Sequence, residues 1–458
     1  MVLSKGEPYT KTLLERAKGS ALDIITRSLD PIGAINLLPP HNQQIKYLEF
    51  EWARWEEIQR FSEVNSGPFP LLHILKVCAF NEVTLDGQPD TMTPPSLPLF
   101  TSAVNLKEFV LHSQRFPFLN HFVFPNLTTF ELSAMPGRER FRVSELLDFL
   151  EASPMLRTAR MKIIADLELG GVPRERVIVL PNVEAFSLIV NDGEPGFIIT
   201  THISCPFVRK ISLIHEKVAN DTIPREIFPA SASWNTILHQ YTRSLVESIA
   251  LEIKMDRDPV FTSSLLFRFS DAAIVELGFR VSASDDDEDF QMSRGELHDE
   301  AFLQAHRVIQ DHPSLAKVKS LYIHHRKVRL EPEERINIAN EVGRLFESLG
   351  TLDELIMYGC DLRLYVTPFL DRPSGNGLEH PLAFPVVKEF RISHPIAPHN
   401  REECTKIIVE LAKSQNALGI PFERVTVCME RLPKSMVEML RPWVGVVDFY
   451  EDFCMEYP

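Results

Sequence analysis

His324 and His325, followed directly by Arg326 and Lys327, form a set of side chains that could hold a metal ion or an anion, since imidazole is a common metal ligand and Arg and Lys attract anions. The set follows the apolar stretch Leu321 to Ile323, and its plainer reading, an exposed basic strand end, carries more weight. His298 and His306 lie eight residues apart, without the i, i+4 spacing that puts two imidazoles on one helix face. Asp285, Asp287 and Asp289 alternate like the start of a calcium loop, but the turn glycine and the distal glutamate in register are missing. Ser282 and Ser284 beside this acidic run are either targets for an acid-directed kinase or part of a solvated spacer. Cys205 and Cys428 have no neighbouring base and read as packing residues.

Phosphate-cradling G-x-x-x-x-G-K-[ST], dinucleotide-binding G-x-G-x-x-G after a strand and the G-x-S-x-G nucleophile elbow are all missing. No catalytic residue, metal site or cofactor is therefore assigned, and a non-enzyme is expected. A formal net charge of -15 and the lack of a long Lys/Arg run argue against nucleic acid as a partner. Six cysteines without a CxxC pair fit a reducing compartment. Met1 to Thr10 lacks a signal-like apolar stretch, and no later segment is apolar for long enough to span a bilayer. The expectation is a soluble intracellular protein, cytoplasmic or nuclear, without a membrane partner.

At 458 residues the chain exceeds what one hydrophobic core supports, so it must form several domains or one elongated array. A triplet in the manner of L-x-x-L-x-L recurs from end to end, as in Ile45/Leu48/Phe50, Leu72/Leu75/Val77, Leu106/Phe109/Leu111, Leu127/Phe130/Leu132, Leu156/Ala159/Met161, Val183/Phe186/Leu188 and Val208/Ile211/Leu213. It continues through Val246/Ile249/Leu251, Ala272/Val275/Leu277, Val318/Leu321/Ile323, Leu352/Leu355/Met357, Val387/Phe390/Ile392, Phe422/Val425/Val427 and Val444/Val447/Phe449. With 44% apolar residues such a triplet arises by chance about once in a dozen windows, so it needs a second signal. Pro70, Pro125, Pro154, Pro181, Pro206 and Pro385 supply it, each two positions before a triplet, where a residue without an N-H stops a helix and starts an extended segment.

Between triplets, Val143 to Ala152, Glu334 to Leu349 and Glu402 to Leu411 carry helical apolar spacing. Strand, helix, strand implies parallel pairing, and hence an α/β leucine-rich-repeat-like solenoid: a horseshoe with a parallel sheet on the concave face and helices and loops on the convex face. Residues 1–20 form a cap helix, centred on Tyr9 to Lys18, and 21–458 a single irregular array whose first strand starts at Ala21. A long acidic loop is expected at about 282–296 and a second loop at Asp371 to Gly377. Residues between the apolar positions then line the open sheet: Glu49, Glu51, Lys76, Glu131, Arg160, Lys162, Tyr322, His324, Tyr358, Arg391 and Tyr450. Aromatic and Arg side chains on a rigid sheet suit a protein partner, although any open sheet needs a polar face.

The stretches Leu14-Glu15-Arg16 through Ala21-Leu22-Asp23-Ile24, Phe124-Pro125-Asn126-Leu127, Leu146 to Leu156 and Leu440 to Asp452 resemble the leucine-rich-repeat region of fungal F-box proteins, in the style of mushroom-forming species. The resemblance spans most of the chain. It implies a substrate-recognition array of a cullin-ring ubiquitin ligase, whose protein partner would be the ubiquitination substrate. The chain departs from the family before its first expected strand, where about twenty residues are too few for the F-box helices. Docking on the cullin-ring adaptor is therefore not expected, unless a first exon lies upstream. It departs again after the triplets, where only Asn191 and Cys360 stand for the closing Asn or Cys. The alternatives are an enzyme with an unrecognised concave-face pocket, or an F-box-family paralogue without ligase docking.

Overall fold

The apolar triplets become strands, and five of the six prolines before them, all but Pro385, become turns. A computed structural model describes residues 7–27, 35–79, 103–113, 119, 122–135, 140–164, 167–168, 172–173, 175–190, 199–218, 246–255, 260–269, 274–282, 305, 318–325, 332–349, 351–370, 384–393, 401–428 and 434–450. The chain is α/β, with a large parallel sheet and helices, and divides into two compact units, Met1–Leu213 and Ile214–Pro458. Residues 283–296, 371–377, His298, His306, Asn191, Arg326 and Lys327 lie outside the described residues.

The first unit opens with helix α1 (Glu7–Ala17) and strand β1 (Leu22–Arg27), followed by a 3-10 turn at Pro39–Gln44, β2 (Ile45–Ala53), α2 (Trp55–Val64) and β3 (Ile74–Ala79). It continues with β4 (Glu108–Ser113), β5 (Thr129–Ala134), β6 (Phe141–Arg142), α3 (Val143–Glu151), β7 (Thr158–Ile163), β8 (Leu167–Glu168), β9 (Ile178–Val179), β10 (Ala185–Val190), β11 (Ile203–Ser204) and the start of β12 (Lys210–Val218). The order β1-β2-β3-β4-β5-β7-β10-β12 follows the sequence, and the pairs from β1 to β10 are parallel. Helix α2, which the sequence reading overlooks, starts where the Glu57 carboxylate accepts the Arg54 backbone N-H at 2.8 Å. It buries Trp55, Ile58 and Phe61.

The turns before six triplets of this unit close the same way, five of them led by proline and the one before Leu106 by Val104. The N-H of the first triplet residue donates to the carbonyl three residues earlier: Leu72 to Phe69, Leu106 to Ala103, Leu127 to Phe124, Leu156 to Ser153, Val183 to Leu180 and Val208 to Cys205. Proline fits the second position of such a turn because its φ is preset and its missing N-H is not needed there. Asparagine at the third position ties one turn to the turn before it. Asn105 Nδ2 donates to the Pro70 carbonyl at 2.8 Å, Asn126 to Val104 at 2.9 Å and Asn182 to Pro154 at 2.9 Å. The triplet side chains then stack inward, and around Phe109, Phe122, Phe124, Phe130 and Phe149 they form an aromatic core, with Phe149 of α3 at 4.5 Å from Phe130 of β5.

The second unit contains β13 (Val246–Met255), β14 (Val260–Phe269), β15 (Ile274–Ser282), β16 (Ser320–His325), α4 (Pro332–Leu349), β17 (Thr351–Tyr358), α5 (Leu362–Tyr365), α6 (Thr367–Leu370), β18 (Val386–Ser393), α7 (Arg401–Ala417), β19 (Arg424–Cys428), α8 (Lys434–Leu440) and β20 (Val446–Tyr450). From β13 through β16 to β20 the pairing is parallel. Its aromatic cluster is Phe346, Phe369, Phe384, Phe390 and Phe422.

One expectation fails here. Strands β13, β14 and β15 pair antiparallel, not parallel, and β14 was not anticipated as a strand. The reason is connection length: Met255 and Val260 are separated by four residues, whereas a parallel return needs a dozen or more. The strand carrying Val275 and Leu277 therefore belongs to a meander, although its triplet looks like the others.

Candidate partner-binding face

All eleven residues expected on the open sheet lie on described strands, and the register sorts them into rungs. In the first unit Ile25, Glu49, Lys76, Val110, Glu131, Arg160 and Ser187 form one continuous rung across seven strands. Glu51 belongs to the next rung, beside Arg27, and Lys162 to the same rung further along, in line with Cys78, His112 and Ser133. Parallel pairing in register is what brings residues more than a hundred positions apart, Glu49 and Arg160, onto one line.

Interactions on this face are loose. Arg27 Nε meets Glu51 Oε2 at 2.8 Å, but Glu131 is 3.5 Å from His112 and 3.9 Å from Arg160. The ammonium of Lys76 lies 5.7 Å from the centre of the Tyr47 ring. Tyr47 donates its phenolic proton to Glu49, and burial together with that carboxylate raises its pKa. Tyr47 was not foreseen as a site residue, although alternation from Glu49 would have placed it on this face.

At the end of β2 the register slips, so that Glu51 and Trp52 together stand opposite Cys78. Trp52 takes a left-handed φ of 58° and is 59% exposed. The Trp52 backbone hydrogen bonds to the Cys78 thiol, whose pKa is nevertheless raised, chiefly by burial. No residue pattern announces this bulge, because its cause is the pairing of two strands.

The second unit brings Tyr322 and Arg391 into one rung with Ile356, Thr426 and Asp448, and His324, Tyr358 and Tyr450 into the next, with Ser393 and Cys428. Here the charges form a chain. Arg391 Nε meets Glu354 Oε1 at 2.7 Å and its Nη2 meets Glu389 Oε2 at 3.1 Å, while Arg424 meets Glu389 at 3.6 Å and Asp448 at 3.3 Å. Burial, with Glu354 nearby, raises the Tyr322 pKa. Glu354, Glu389, Arg424 and Asp448 escaped the sequence reading, which took one or two positions per strand.

His324 corrects the picture of an exposed basic strand end. It is 4% exposed, with its ring edge-on to Tyr358 at 4.7 Å between centres. Side-chain contacts with the next strand decide this, and the basic run after it gave no hint of them. Cys205 and Cys428 are buried, and burial pushes the Cys205 thiol up to about 12. Cys360 donates its S-H to the Ile323 carbonyl of the neighbouring strand at 3.4 Å.

A hollow of about 130 Å³ lies among Arg391, Arg424, Thr426, Cys428, Asp448 and Tyr450. That is well below the roughly 300–1,000 Å³ of small-molecule sites. Among the described residues, no group of three or more His, Cys, Asp or Glu side chains is placed to hold a metal, and no helix is long and apolar enough to cross a membrane. No protein-family model matches the chain, and comparison with curated proteins finds no match.

Proposed function

We propose that the protein is a non-catalytic protein-protein interaction scaffold whose repeating strand units stack as arcs of a leucine-rich-repeat-like solenoid, with the open sheet as the concave, partner-binding face. The observation that carries this reading is the continuous rung from Glu49 through Lys76 and Glu131 to Arg160, four solvent-facing side chains of alternating sign held in fixed register. Rigid strands fix where such groups sit, so a partner can be selected without ordering them first.

The resemblance to the substrate-recognition region of fungal F-box proteins makes the captured protein a ubiquitination substrate. Its setting would be cytoplasmic or nuclear. The test is quantitative co-purification from fungal cells of the tagged chain and of its Glu131→Arg/Arg160→Glu variant. A partner retained by the chain and lost from the variant is the expected result, and identical partner sets would sink the proposal. Co-purification of the cullin-ring adaptor would reinstate ligase docking.

A further inference from the structure

In the first unit the residue just after each leading triplet position joins a main-chain ladder that runs across the strands. His73 N-H donates to Lys46, Lys107 to His73, Thr128 to Lys107, Arg157 to Thr128, Glu184 to Arg157 and Arg209 to Glu184, all at 2.8–2.9 Å. The residues of this row stand at the strand starts, three positions before the first rung of the open face. Four are cations, Lys46, Lys107, Arg157 and Arg209, against one carboxylate, Glu184, in a chain whose net charge is -15. All four cations are exposed. Arg157 approaches Glu184 only to 3.9 Å with both side chains more than half exposed, and among the described residues Lys46, Lys107 and Arg209 have no ion-pair partner. Backbone hydrogen bonds and the inward stack of triplet side chains hold this register, so the charges are not needed for it.

The cations occupy every second strand. Two strand spacings are about 9.6 Å. A polyproline II helix advances about 9.3 Å in its three-residue turn, so residues three apart share one face at almost that interval. The turn tips beside the row are uncharged and partly apolar: Met155 precedes Arg157 by two residues, Phe207 precedes Arg209 by two, and Phe207 is 70% exposed.

We propose that this turn edge of the first unit binds an extended polypeptide segment with an acidic residue at every third position, its carboxylates meeting Lys46, Lys107, Arg157 and Arg209 and its intervening apolar residues resting on the turn tips. Charge complementarity selects an acidic partner, and the spacing selects an extended peptide over an anionic bilayer, which has no period to match. Glu184 within the row also sets it apart from the uninterrupted basic clusters that hold anionic lipid. The surface is distinct from the sheet face, and the inference does not depend on the function proposed there.

The test is fluorescence anisotropy of the full chain with a labelled peptide of about twelve residues, glutamate at every third position and proline, leucine or phenylalanine between. A second peptide has the same composition with its glutamates contiguous. Binding of the spaced peptide should exceed that of the block peptide several-fold, weaken in ~0.5 M salt, and fall about tenfold or more in Lys107→Glu/Arg157→Glu. Matching melting curves establish that the variant is folded, and Lys107→Gln/Arg157→Gln replaces it if they differ. Glu131→Arg/Arg160→Glu, on the sheet face, should bind the spaced peptide as the unaltered chain does, so a failed face and a failed edge are told apart. The inference is overturned if the spaced peptide does not bind, if both peptides bind equally, if the edge variants bind undiminished, or if phosphatidylserine vesicles bind in place of the peptide.

Discussion

The two units use one backbone device with different charges on it. In the first, the ladder at the turn edge carries four cations and a single carboxylate. In the second, the positions equivalent to these from β16 to β19 are Lys319, Asp353, Lys388 and Glu423, where Asp353 N-H donates to Lys319 and Glu423 N-H to Lys388. That row is neutral, and Lys388 Nζ meets Asp353 Oδ1 at 2.6 Å. The sheet faces differ in the same sense, since the second unit links Glu354, Arg391, Glu389, Arg424 and Asp448 into a chain while the first leaves Glu131 at 3.5 Å or more from its neighbours. A register fixed by main-chain bonds and apolar stacking tolerates either choice. Charge at these positions is thus open to selection for binding in the first unit and for internal pairing in the second.

If both units rest on the same stacking, loss of a central ring should damage each to the same degree. Phe130→Ala and Phe390→Ala remove fully buried rings from the two aromatic clusters, and each should lower stability by about 3–5 kcal/mol. Hydrogen exchange should show lost protection in the altered unit first. A large effect in one unit and a small one in the other would break the comparison.

Buried thiols sharpen it by pH. Burial raises Cys205 of the first unit to about 12 and Cys404 of the second to about 11, both above the value of a free thiol. A raised folded pKa favours the protonated thiol, so its contribution is complete below the unfolded pKa of about 8.5 and is lost as pH climbs towards the folded value. Cys205→Ala should cost roughly 1–2 kcal/mol at neutral pH and flatten the alkaline decline in stability. Cys404→Ala should flatten it to the same degree between pH 8 and 10, a range below both folded values, as urea titrations at those two pH values would reveal.

The paired and unpaired faces separate next. Arg391→Ala leaves Glu354, 16% exposed, beside Glu389 without its cation, and should cost about 1–2 kcal/mol after allowing for screening at a side chain 39% exposed. Arg160→Ala, 3.9 Å from its nearest carboxylate, should stay within about 0.5 kcal/mol. Equal losses in chemical denaturation would mean that the ion-pair chain of the second unit confers no more than the loose pairs of the first.

What the sequence disclosed follows from which forces are local. Triplets and prolines act within a few residues, so the strands β2, β3, β4, β5, β7, β10 and β12 and the helices α3, α4 and α7 could be anticipated. Connection length was also present in the sequence, and counting the residues between Met255 and Val260 would have identified the antiparallel meander. Burial of His324 against Tyr358 and three of the four links in the chain from Glu354 to Asp448 depend on neighbours 24 or more positions away, brought together only by the register. The site residues were found as a face, because alternation marks a face, but not as partners.

The smallest effect tests the device itself. Asn126 lies at the third position of its turn and ties that turn to Val104, whereas Met155 occupies the same position one turn later and is 47% exposed. Asn126→Ala removes a hydrogen bond between exposed groups that water can partly replace, and should cost about 0.5–1 kcal/mol. Met155→Ala should change stability by less than about 0.5 kcal/mol, because the turn's own bond from Leu156 N-H to the Ser153 carbonyl remains. Equal losses on thermal melting would show that asparagine contributes no tie between turns, and that the proline-led turns of the first unit stack through their backbones and triplets alone.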